Sequence, residues 1–99
     1  MKFEIKNLQS NINIIMRQIG YQPAYFQEPG EFSVVKKIMG SDYPRFHLYI
    51  KNTGSDFSFN LHLDQKKPSY EGSTAHGGDY ESEAVRDEVE RIKEIIHRT

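Results

Sequence analysis

Two short stretches of this 99-residue chain carry reactive side chains at alternate positions: Arg45, His47, Tyr49 and Lys51 in the first, Asn60, His62 and Asp64 in the second. A period of two places such residues on one face of a strand. Histidine exchanges protons near neutral pH or ligates a metal, arginine clamps an anionic or carbonyl group, and tyrosine and asparagine give directional hydrogen bonds. His62-x-Asp64 supplies one nitrogen and one oxygen ligand on the same face. His47 from a neighbouring strand and His76 from a later loop are further donors for a metal site of the nitrogen and oxygen type. His47, His62 and His76 are also the candidate catalytic residues, while Tyr70 and His76 are placed to close over the face from the loop. No helical His-Glu-x-x-His or other catalytic signature is present, so the sequence leaves enzyme or non-enzyme open. Cross-strand pairing on an outer sheet face accounts for such residues without any ligand, and is the plainer reading.

These residues sit on the strongest structural pattern in the chain. Arg45 to Lys51 and Asp56 to Asp64 alternate apolar with polar, separated by Asn52-Thr53-Gly54-Ser55. A four-residue turn predicts a hairpin with Lys51 opposite Asp56, Ile50 opposite Phe57, Leu48 opposite Phe59 and Phe46 opposite Leu61. Arg45 then faces His62 and His47 faces Asn60. A slip of one residue would set every apolar side chain against a polar one. Phe32 to Met39 is a third strand, with Val34-Val35-Lys36-Lys37 predicting a bulge or an edge.

On the N-terminal side, Leu8, Ile12, Ile15, Met16 and Ile19 follow helical spacing, with Asn7 as cap and Gly20 as stop. Phe3 and Ile5 alternate with charged neighbours and suit a short strand instead. Residues 65–80 read as a loop, broken by Pro68, Gly72, Gly77 and Gly78. A last helix starts at Ser82 and carries its apolar stripe on Val85, Val89, Ile92 and Ile96, with Arg86/Glu90 and Asp87/Arg91 as ion pairs. Residues 1–99 are therefore expected to form one small α+β domain. Its expected architecture is a two-layer sandwich in the order α-β-β-β-α, with an antiparallel three-stranded sheet and both helices on one face.

Composition narrows the function classes. With 36% hydrophobic, 27% charged and 12% aromatic residues, the chain is too apolar to be disordered. The absence of cysteine excludes disulfides, thiolate metal sites and cysteine nucleophiles. A net charge of -1 excludes a strongly basic nucleic-acid domain. No stretch is apolar enough for a membrane span, and the charged start at Met1 to Asn7 resembles no secretory signal, so a cytoplasmic location without membrane partners is expected.

The order α-β-β-β-α resembles that of double-stranded-RNA-binding domains and of HicA-type toxins, small ribonucleases that use a strand histidine. His76-Gly77-Gly78-Asp79-Tyr80 is similar to the histidine-bearing loop before the last helix of those toxins. That resemblance implies RNA binding or cleavage, through Arg45, Tyr49, Lys66, Lys67 and Tyr70. Against it, the start of the last helix carries Glu81, Glu83, Asp87 and Glu88, which repel phosphates, and the toxins' glycine-serine-histidine signature is missing. Pro44-Arg45-Phe46-His47, Asn60-Leu61-His62-Leu63-Asp64-Gln65 and Tyr70-Glu71-Gly72 through Tyr80 are also similar to a group of short uncharacterised bacterial proteins, a likeness that implies no activity. The leading expectation is a small protein-interaction or ligand-binding module. It would use the open sheet face and the 65–80 loop, with Arg45, His47, Tyr49, Asn60, His62, Asp64, Tyr70 and His76 as binding residues. A protein partner or self-association is expected, and no cofactor. RNA binding is the first alternative. Metal binding by His62, Asp64 and His76 is the second.

Overall fold

A computed structural model describes residues 1–24, 29–65, 78–79 and 82–98 of the chain. Its elements are β1 (Lys2–Ile5), α1 (Ile12–Ile19), β2 (Gln22–Pro23), β3 (Phe32–Lys37), β4 (Arg45–Thr53), β5 (Asp56–Asp64), β6 (Gly78–Asp79) and α2 (Glu83–His97). The sheet is antiparallel in the order β1-β5-β4-β3-β2, with β6 also beside β5. The three strands expected from the sequence form its centre. The added strands are β1, β2 and the two-residue β6, so a strand precedes the first helix.

The central hairpin pairs differently from the expectation. Thr53 lies opposite Asp56, Ile50 opposite Phe59, Leu48 opposite Leu61, and Phe46 opposite Leu63. The turn is therefore two residues long, Gly54-Ser55, and Gly54 adopts φ 65°. A glycine with positive φ at the first position is what the tight hairpin turns that match strand twist require. The register has slipped by two residues, which leaves every side chain on the face the alternation predicts. Across the strands, however, it brings His47 opposite His62, Arg45 opposite Asp64, and Tyr49 opposite Asn60.

Other boundaries also moved. The first helix starts at Ile12, because the Asn11 side chain accepts from the Ile14 N–H at 3.0 Å. Asn7 is no cap. It takes φ 55° and its N–H donates to Asp56 Oδ1 at 3.1 Å, while the Leu8 N–H donates to Ser55 O, tying the chain after β1 to the hairpin turn. β3 is regular along β4, from Phe32 opposite Ile50 to Lys37 opposite Arg45, with no bulge. It is no edge strand at Val34 and Val35, because Pro23 and Gln22 of β2 pair there. Proline has no N–H to leave unpaired at that outer edge.

One apolar cluster holds the fold. From the sheet it takes Phe3, Ile5, Val34, Leu48, Ile50, Phe57, Phe59 and Leu61. The helices add Ile15, Met16, Ile19, Val85, Val89, Ile92 and Ile96. Phe3 stacks on Phe59 with ring centroids 4.7 Å apart. Ile14, off the helix face, stays exposed. Among the described residues no helix is long and apolar enough to cross a membrane.

Candidate functional site

The opposite face of the sheet carries the polar cluster. Asp64, the last residue of β5, lies beside three cationic or hydrogen-bonding groups. His62 Nε2 donates to Asp64 Oδ1 at 2.8 Å, His47 Nδ1 approaches Oδ2 at 3.2 Å, and Arg45 Nε donates to the same Oδ2 at 3.3 Å. Pairing explains the convergence. Arg45 is directly across from Asp64, His47 is across from His62, and His62 and Asp64 are next neighbours on one face of β5.

The cluster is sunk below the surface. Side-chain exposure is 7% for His62, 12% for Asp64 and 13% for His47. Burial pushes the Asp64 carboxyl up, but hydrogen bonds from His47 and His62, together with their charge, outweigh it and hold the group below the ordinary carboxylate range. Asp64 is thus an anion maintained by imidazoles. The rings are ordered by one another: His47 stacks on Tyr49 at 4.5 Å, His62 on Tyr49 at 5.5 Å, and His47 and His62 tilt together at 4.8 Å.

Two residues join the site that were not among the candidates. Ser33 on β3 bonds its hydroxyl to His47 Nε2 at 2.5 Å. Ser33 shares the polar face with Val35 and Lys37, so strand alternation read across to β3 would have found it. The Arg45 guanidinium lies over the Tyr43 ring, 4.6 Å from its centroid. Serine, His47 and Asp64 have the connectivity of a nucleophilic triad. Ser33 is itself buried, 6% exposed, like the cluster it supports. Its effect is to fix the His47 ring.

Tyr49 and Asn60 are opposite each other one step along the same face, and line a shallow hollow of about 160 Å³ with Lys2, Glu31, Lys51, Ser58 and Phe59. Asn60 Oδ1 also accepts from the Met1 ammonium at 3.5 Å. Tyr70 and His76, with Lys66, Lys67 and nearly all of the 65–80 loop, lie outside the described residues. Among those described, His47, His62 and Asp64 form a group whose possible ligand atoms all fall within 4.8 Å of one another. Compared with models of protein families, with curated proteins and with solved structures, the chain matches none.

Proposed function

We propose that the chain is a small metal-binding domain, a two-layer α+β sandwich whose open sheet face holds a divalent transition ion on His47 Nδ1, His62 Nε2 and the Asp64 carboxylate. The observation that supports it is the convergence of two imidazoles and one carboxylate, from two strands, with little of each side chain exposed. Imidazole and carboxylate suit zinc, iron, nickel or copper(II), and three protein ligands leave a position open. The nitrogen to oxygen separations, 2.8 Å to Oδ1 and 3.2 Å to Oδ2, are hydrogen-bond distances shorter than the edges, about 3.3–3.4 Å, of a tetrahedron with arms of about 2.0–2.1 Å, so loading calls for the rings to draw back slightly from the carboxylate. The ion takes the place of the two protons that the rings now present to Asp64.

Ser33 suits both states of His47. A hydroxyl donates to Nε2 while Nδ1 carries the proton, and accepts from Nε2–H once Nδ1 binds the ion. The protein-interaction and RNA readings call for exposed apolar or basic surface, whereas these imidazoles are turned inward on a carboxylate. Titration with Co²⁺, followed by its visible absorption and by calorimetry, tests the proposal. Native protein should bind one ion, and His62→Ala should lower the affinity more than about 100-fold, beyond what loss of an outer-shell partner costs. Absence of cobalt bands, or bands indifferent to His62→Ala and His47→Ala together, overturns it.

A further inference from the structure

The metal reading leaves Arg45 with a specific task. Its guanidinium carbon lies over the Tyr43 ring and its Nε donates to Asp64, and among the described residues its terminal amino groups meet no acceptor. The side chain is 24% exposed, so it is not sealed from solvent beside the cluster. Lys37, across from Arg45 on β3, is engaged with Asp42 at 3.2 Å, which keeps that acid occupied.

Charge balance sharpens the point. Two neutral imidazoles and one carboxylate leave a divalent ion with one positive charge uncompensated, and Arg45 adds a second. These two charges share only the Asp64 carboxylate, which leaves the group with a net charge of two that a further anion would offset. An oxyanion answers both needs, with one oxygen in the open position on the ion and another on the planar donors of arginine.

Resting on the metal reading, we infer that the loaded centre takes an oxyanion, the phosphate or carboxylate group of a small ligand, bridging the ion and the Arg45 terminal amino groups. The two anion chemistries share this geometry and are separated by experiment. Cobalt-loaded protein is titrated with inorganic phosphate in one arm and acetate in the other, reading the visible bands. Arg45→Gln and Arg45→Lys are run beside it, with cobalt affinity and far-UV circular dichroism recorded for each, so that anion binding is compared on folded, equally loaded samples.

At least one anion should shift the native bands, and Arg45→Gln should weaken it 10-fold or more. Arg45→Lys, which keeps the charge and loses the fork, should fall between. A stronger response to phosphate names phosphate as the group, and a stronger response to acetate names carboxylate. Native cobalt bands unmoved by both anions, or moved equally in Arg45→Gln, overturn this inference and leave the metal site standing. Absence of cobalt bands overturns both.

Discussion

Among the described residues two carboxylates are buried, and they are partnered in opposite ways. Glu88, on the core side of α2, is 6% exposed. It accepts from the Tyr21 hydroxyl at 2.6 Å and from Arg91 through Nε and one terminal nitrogen at 2.7 and 2.8 Å. Arg91 donates further to the Ile19 carbonyl at 2.7 Å, so the network ties the end of α1 to α2. Asp64, on the far side of the sheet, is surrounded by imidazoles and by an arginine whose terminal nitrogens meet no acceptor among the described residues. The difference is one of exchangeability. Arginine and neutral tyrosine keep their protons at any ordinary pH, so the Glu88 network has a single state. An imidazole gives up a proton for an ion at little cost, so the Asp64 cluster has at least two. The first arrangement fastens helices. The second is suited to holding a ligand.

Glu88→Ala should break the fastening and spare the site. Removing one member of a buried ion pair costs about 3–5 kcal/mol. The lower end of that range is expected here, because the Arg91 side chain is 35% exposed and water reaches it. Urea denaturation should show the loss while cobalt affinity per folded molecule stays within a factor of two or so. Equal loss of cobalt binding would make Glu88 part of the site and erase the contrast.

Asp64→Asn should do the reverse. Its stability cost is smaller, about 1–3 kcal/mol, since the amide keeps an acceptor beside the imidazoles and the Arg45 side chain is partly exposed. Cobalt binding should disappear. The Asp64 carboxyl is held below the ordinary carboxylate range, so its share of stability is present above the ordinary value of 3.8 and is lost as the pH falls below it. The native protein should therefore lose stability toward acid more steeply than Asp64→Asn in urea titrations between pH 6 and pH 3. Parallel acid limbs would show that Asp64 gains nothing from its neighbours.

How legible each region was follows from what a periodic pattern encodes. Alternation told which face Phe46, Leu48, Ile50, Phe57, Phe59, Leu61 and Leu63 occupy, and all but the half-buried Phe46 and Leu63 are buried. It could not separate a four-residue turn from Gly54-Ser55, because the two registers differ by two residues and leave the faces alike. Turn chemistry carried that choice, and with it the meeting of His47 with His62 and of Arg45 with Asp64. The site residues were readable as types on a face and unreadable as partners. Glu88 was missed for a different reason. On a helix rich in acids it looks like a solvated charge and Arg91 looks paired with Asp87, yet Arg91 turns to Glu88 because Tyr21 and the Ile19 carbonyl wait there. Contacts between residues 67 to 72 positions apart leave no mark on local spacing.

The smallest expected effect tests the single-state character of the Glu88 network. Burial, and then the charge and hydrogen-bond acceptance of Glu88, push the Tyr21 hydroxyl well above its ordinary value of 10.0. A group whose pKa is raised by folding adds stability that is complete below the unfolded value and is lost as the pH climbs past it. The urea midpoint of the native protein should therefore be insensitive to Tyr21 from pH 7 to 9 and fall between pH 10 and 11. In Tyr21→Phe the hydroxyl is gone: stability at neutral pH should drop by about 1 kcal/mol, the worth of one hydrogen bond, and the alkaline fall should become shallower. Other tyrosines and lysines titrate in both proteins and cancel in the difference. Identical alkaline limbs would mean that Tyr21 ionises freely in the folded state. The Glu88 network would then have a second state after all, and only the ligands, not the exchangeability, would set the two carboxylates apart.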